Sequence, residues 1–346
     1  MPPAGPEPHP AGAASPWDWI PPIPSAIARP VTLLQLEGSD SLRFLHGQSS
    51  QAIELASPGQ WLSTCCISPT ARMRALAEVL VTDGGAWLVI RSGDGEAVRQ
   101  ALDRVLFPAD AVHLGPLESG LLLSPVPTDG QGDTADAQAC WRPLQGAEGF
   151  WLGEQLLLRE APAAATASTG MEEEARALLG RPRLAAPELE RWRLQCGLPA
   201  WPSELNDDTN PFEVGLAARV SLSKGCYVGQ ETLAKLATYD GVRRQLRRWH
   251  CPGGDGLAAA LAPGSPLCTA TGERAGTITS CLRLPEADLW IGLALVRRRA
   301  LGAERLWSGA AAGERSVSDG TALWLSRPPA FVDPPVGAGA SASDGG

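Results

Sequence analysis

Two apolar runs, Met73–Thr82 and 86–91, are separated only by Asp83-Gly84-Gly85, and this pattern does most to narrow what the chain can become. A short Asp-Gly connection between strand-like runs folds back as a hairpin, because glycine supplies the positive φ that such turns need. An antiparallel sheet is therefore expected. Around it the spacing predicts strands over 31–36 and 61–67, a short helix from Ser41 that Gly47 could end, and a helix over 96–106 stopped before Pro108. Strand–helix–strand–strand–helix is an α+β pattern.

Downstream, 115–165 is weakly patterned and 161–170 reads as a loose linker. Helices are expected over 171–179 and 187–195, the second with Pro187 at its first position and Gly197 as its stop. From about residue 245 short β-like runs alternate with glycine and proline, as in a small β-barrel or sandwich. The 346 residues suffice for two domains or three small ones. The expected division is a disordered leader over 1–30, which holds ten prolines, an α+β region over 31–244, a β-barrel over 245–327 and a disordered tail over 328–346.

A formal net charge of -9 argues against a nucleic-acid coat or a membrane-surface protein, both of which need a basic face. No apolar run approaches the ~18–20 residues that span a bilayer, and the proline-rich start lacks the charged and apolar regions of a signal peptide. The cytoplasm is the expected compartment. Eight cysteines occur without a CxxC or a Cys/His cluster of zinc-ligand spacing, so no metal ligand set is expected and the thiols read as reduced.

One segment departs from the rest. The chain has 27 arginines but only two lysines, Lys224 and Lys235, and only two tyrosines, Tyr227 and Tyr239; all four lie within 224–239. Their confinement to one stretch of a chain that otherwise avoids Lys and Tyr points to a requirement for them there. Gly225 and Gly229 bracket Cys226-Tyr227-Val228, allowing tight turns and close backbone approach, and 231–239 has helical spacing with Gly241 as a stop. A helix N-terminus and the Lys224 ammonium would both favour a thiolate at Cys226. The same spacing also suits a cysteine that merely packs beneath a glycine turn. Next come Arg243, Arg244, Arg247 and Arg248, which either meet carboxylates such as a polyglutamate tail or form a solvated face.

The run Lys224–Glu231 (KGCYVGQE) resembles the K-G-C-Y-x-G-Q-E signature of the YgfZ family, which is related to the aminomethyltransferase (T-protein) of the glycine cleavage system. NPFEVGL (210–216) is similar to that family's P-x-E-x-G-L run, WRLQCGLP (192–199) to its helix ending in G-I-P, and FLHGQSSQAI (44–53) to its F-L-Q-G-Q-x-T motif. The resemblance implies a T-protein-like α+β folate-binding fold of three lobes around a central cavity, ending in a small β-barrel. It implies tetrahydrofolate, or a one-carbon-substituted form, as cofactor. It also implies a role in assembling or repairing iron–sulfur clusters in client enzymes, including radical enzymes that modify tRNA, with those enzymes or cluster carriers as partners and no direct contact with nucleic acid or membrane.

Carried onto this chain, the resemblance makes Cys226 and Lys224 the reactive pair. It makes Gln195, Glu213, Gly225, Tyr227, Gly229, Gln230 and Glu231 candidate cofactor-binding residues, joined by Arg243 from the basic cluster. Gln195 stands where relatives carry a pterin-contacting Glu, Ala75 or Leu76 where T-proteins carry a catalytic Asp, Ala52 replaces an acidic residue and Ala71 a Gly. A folate-dependent aminomethyl transferase is the alternative and a non-catalytic ligand-binding scaffold the second alternative; on the main reading the chain is not a classical enzyme.

Overall fold

The computed structural model describes residues 15–126, 139–159, 170–239, 241–254, 256–309 and 320–335. The first unit runs β1 (Ala26–Glu37), α1 (Ser41–Gln48), β2 (Gln60–Ile67), β3 (Met73–Thr82), β4 (Gly85–Gly93), α2 (Gly95–Asp103), β5 (His113–Pro125), β6 (Ala139–Pro143), β7 (Gly149–Leu152) and β8 (Gln155–Arg159). Its strands close into a barrel in the order β1-β4-β3-β2-β6-β7-β8-β5, every pairing antiparallel. The expected hairpin is there, with Thr82 opposite Gly85 across the turn.

Alternation along the strands explains how one barrel carries cores on both faces. Val31 and Leu33 of β1 join Trp61, Leu80, Trp87, Val89, Leu122 and Leu157, an all-strand cluster that fills the barrel. Leu34 and Leu36 join Phe44 and Leu45 of α1 and Val98 and Leu102 of α2 on the outer face. Burying each such side chain contributes about 1.5–3 kcal/mol.

The region 115–165, unpatterned to the eye, holds β5 to β8. β5 reads as a continuous apolar run, Leu121-Leu122-Leu123, because residues on both its faces are covered. β6, β7 and β8 have four or five residues each, too few for a period to register. The linker expected over 161–170 lies, Gly170 aside, outside the described residues.

After α3 (Glu173–Leu179) and α4 (Ala186–Cys196), an irregular stretch leads to α5 (Gln230–Thr238). Gly197 ends α4 in the left-handed region (φ 70), as its position predicts. A second closed barrel follows, built from β9 (Arg244–Pro252), β10 (Pro266–Cys268), β11 (Arg274–Leu284), β12 (Leu289–Arg297), β13 (Arg305–Ser308) and β14 (Thr321–Ser326) in the order β10-β11-β12-β9-β14-β13. Where the two units meet, Leu246, Ile291, Leu293 and Leu295 pack against Cys65, Ile67, Met73, Phe212, Tyr227 and Leu233.

Two expected disordered ends need correction. Within the leader, residues 15–30 are placed: Ala26 to Pro30 pair with β5, Pro16 is buried and Trp17 and Trp19 pack on the body. Proline is compatible with this path, since Pro30 lies before β1 acquires β4 as its second neighbour at Thr32. Within the tail, Phe331 is 5% exposed, its ring filling the space where a side chain at Gly215 would begin, and Val332 N–H donates to Gly215 O at 3.0 Å. A single buried aromatic outweighs the Pro/Gly texture around it.

Candidate functional site

α1 ends with carbonyls that have no partner inside the helix. Lys224 supplies them. Its Nζ donates to Ser49 O (2.7 Å), to Gln51 O (2.7 Å) and to His46 O, and it lies 4.3 Å above the Tyr227 ring. Val228 N–H adds a bond to Gly47 O at 2.9 Å. Burial pulls the Lys224 pKa down to about 7, while three carbonyl oxygens hold its proton in place. All three ammonium protons are thus committed. Lys224, whose ammonium is expected from the sequence to favour a thiolate at Cys226, spends its hydrogen bonds on these carbonyls and props the turn.

Tyr227 is the second anchor. It is 8% exposed, packed in the junction core, and burial pushes its phenol up to about 12; its hydroxyl has no partner among the described residues. Gly229 is the third. It holds φ 78 as the residue before α5, and a Cβ there would lie 2.8 Å from Ser68 O and 2.9 Å from Ile67 Cδ1. Only glycine fits that contact with the β2–β3 turn. In the same turn Ala71 has φ 57, a left-handed conformation that suits the Gly which the resemblance implies at this position.

Between these anchors Gly225 and Cys226 face solvent. Cys226 sits four residues before the first helical residue of α5. Gln230 Nε2 closes the turn on Lys224 O at 3.3 Å, so it is a brace. Glu231 points away into solvent, paired with Lys235 one helical turn on (2.7 Å), and that ammonium lowers its pKa. By contrast Cys65 and Cys66 are buried, with thiols pushed up to about 12.

The other predicted residues are dispersed. Glu213 is buried and bound to Arg244 (Nε–Oε1 2.8 Å) and to the Asn210 amide (3.2 Å), which fixes its loop to β9. The four-arginine cluster is split by strand geometry: Arg244 goes to Glu213, Arg247 lies 5.5 Å from the Phe331 ring, Arg248 lies 4.5 Å from the Trp17 ring, and Arg243 stays exposed.

Gln195 is 3% exposed on α4. Its Nε2 donates to Trp19 O at 3.0 Å, while its Oε1 has no partner among the described residues. Such a buried orphan acceptor costs about 1–3 kcal/mol, and it suits an N–H-bearing heterocycle such as a pterin. The strap carrying Trp17 and Trp19, with Arg191 5.1 Å from the Trp19 ring, lies over this face.

Sequence reading missed that strap, and it missed the network beneath the motif. Glu78, fully buried on β3, accepts from Ser63 Oγ (2.6 Å), Arg91 (3.1 Å) and Arg219 (3.0 Å); Arg219 O in turn accepts from Ser50 Oγ (2.6 Å). A carboxylate inside an apolar strand was the available signal. Of the two residues expected to stand for the T-protein aspartate, Ala75 is fully buried and Leu76 partly buried, and neither carries a carboxylate. Among the described residues no group of three His, Cys, Asp or Glu side chains is placed to hold a metal ion, and no helix is long and apolar enough to cross a membrane.

No family model matches the chain. A chloroplastic protein of Arabidopsis thaliana, whose name places it provisionally among the transferases, is 27% identical over 287 residues. That match takes in 77% of this chain and 63% of the relative, so the chain spans less than two thirds of the relative's length. The crystal structure of the glycine cleavage system aminomethyltransferase T from Bartonella henselae superposes with a TM-score of 0.65 at 19% identity, over 90% of this chain and 88% of that one. The fold is similar to that of an aminomethyltransferase. The two barrels and few helices described above are the shared architecture.

Proposed function

We propose that this chain is a cytoplasmic tetrahydrofolate-binding protein of the YgfZ type, assisting the assembly or repair of iron–sulfur clusters in client enzymes, with Cys226 as its working group. The observation that carries this reading is the KGCYVGQE turn, in which buried Lys224 and Tyr227 and a glycine-only contact at Gly229 leave Cys226 exposed. A turn held on both sides presents its sulfur in a fixed place at little further entropic cost.

On this reading Gln195 Oε1 accepts an N–H of the pterin, and bound tetrahydrofolate supplies a one-carbon carrier. Cys226 acts as a transient thiolate ligand, redox group or acceptor toward a client or cluster carrier. Radical enzymes that modify tRNA are the client class that the motif suggests. Anaerobic equilibrium titration tests the folate part: a Kd in the micromolar range is expected, and no binding up to about 1 mM ligand defeats the reading.

The second reading, a one-carbon transferase, is favoured by the names of the two relatives. It needs a carboxylate free to move a proton near the folate nitrogen. Neither Ala75 nor Leu76 offers one, and Glu78 is bound to two guanidiniums. An assay for methylenetetrahydrofolate formed from an aminomethyl donor should therefore show no turnover.

A further inference from the structure

Residues 15–25, ahead of β1, form no helix or strand, yet they are held down on α4 and β9. Trp17 lies against the junction core, with its ring centre 4.5 Å from the Arg248 guanidinium and 6.0 Å from the His250 ring, which meets it edge-on. Trp19 packs with Trp192 and Cys196 of α4, its ring 5.1 Å from the Arg191 guanidinium, and its carbonyl accepts the Gln195 side-chain N–H at 3.0 Å. Arg248 completes the seat by donating to Gln195 O.

The seat is matched to the strap in shape but not in polarity. Arg191 and Gln195 stand one helical turn apart on α4, so they share a face, and Arg248 reaches the same spot from β9. Gln195 Oε1, Arg191 Nε and Arg248 Nε are all buried there without a hydrogen-bond partner among the described residues. Buried polar atoms are costly when unpaired, and a permanent cover would satisfy them. An indole offers a single N–H and no acceptor, so the strap fills the space and leaves one acceptor and two donors unmet. A flat N-heterocycle that carries both donors and acceptors can meet them. Gln195 Oε1, the atom that the folate reading gives to the pterin, is meanwhile sealed from solvent, with Trp19 O on the same amide and Trp17 on Arg248.

We infer that the strap carrying Trp17 and Trp19 is a self-inhibitory plug, which occupies the ring-binding slot of the resting chain and is expelled when a flat N-heterocycle enters. The inference rests on the folate reading, and its test separates the two. The full chain is titrated anaerobically with tetrahydrofolate and, in parallel, digested briefly with chymotrypsin, which cuts after Trp17 and Trp19 once the strap lifts. Saturating tetrahydrofolate should speed both cuts by about threefold or more, since cleavage follows the population of the open form. Trp17→Ala and Trp19→Ala should each tighten tetrahydrofolate about tenfold, because the strapped state no longer competes. The cleavage rate is read on the unaltered chain, so it decides the matter even where a variant fails to fold. Slower cutting with ligand, or weaker binding by Trp17→Ala, would make the strap a lid and overturn the plug. Binding with cleavage and affinity both unaltered would overturn the plug and leave the folate reading standing. No binding by parent or variants up to about 1 mM would defeat the folate reading, and the plug with it.

Discussion

Replacing Lys224 by Met tests whether the motif is built on α1. The substitution keeps an unbranched apolar stem of similar reach but withdraws the donor shared by His46 O, Ser49 O and Gln51 O. Leaving a buried carbonyl without a donor costs about 1–3 kcal/mol. The Ser49 bond is buried and bears the full penalty, while the His46 and Gln51 bonds are partly buried and water recovers some of theirs. Loss of the cation–π contact over Tyr227 adds about 1 kcal/mol, and relief from burying an ammonium offsets a similar amount. The net expectation is a loss of about 3 kcal/mol in urea unfolding followed by far-UV circular dichroism.

The same residue sets a pH signature. Its folded pKa of about 7 lies below the ordinary 10.5, so between those values the unfolded chain binds the extra proton and stability rises with pH. That rise, up to about 1.4 kcal/mol per pH unit, should be missing from the Met variant. Stability within about 0.5 kcal/mol of the parent, with an unchanged pH profile, would refute the reasoning.

Tyr227→Phe removes a hydroxyl that has no partner among the described residues, and should leave urea stability unchanged or raise it by up to about 1 kcal/mol. Gly229→Ala must place a methyl against Ser68 O at φ 78, and should lower stability by about 2 kcal/mol or more in the same assay. Gln195→Glu should cost about 2 kcal/mol at neutral pH, because its carboxylate would face Trp19 O in place of an N–H donor. On the proposed function it should also tighten tetrahydrofolate roughly tenfold in equilibrium titration, through a charge-assisted bond to the pterin.

Much of the fold was legible where one signal acted locally. Asp83-Gly84-Gly85 announced the hairpin, and Gly197 and Gly241 placed the ends of α4 and α5 to within a residue or two. β6 to β8 were not legible, since strands this short are fixed by barrel closure rather than by their own pattern. Chain-order proximity also misled: Arg243, Arg244, Arg247 and Arg248 alternate around β9 into different surroundings, while Arg243 meets Arg297–Arg299 through a ladder that only the topology reveals. At the site the motif was visible residue by residue, but the direction of Lys224 was not, because its partners lie about 175 positions earlier, at 46–51. Trp17 and Trp19 were hidden by the prolines around them.

The most direct test exchanges one atom. Cys226→Ser, carried by the full chain in a strain lacking its own copy, is scored by the activity of iron–sulfur enzymes in extracts. An unchanged unfolding midpoint with no restoration of those activities is expected, since the side chain is exposed and its neighbours hold the turn without it. Restoration equal to the parent's would mean that the sulfur does no chemistry.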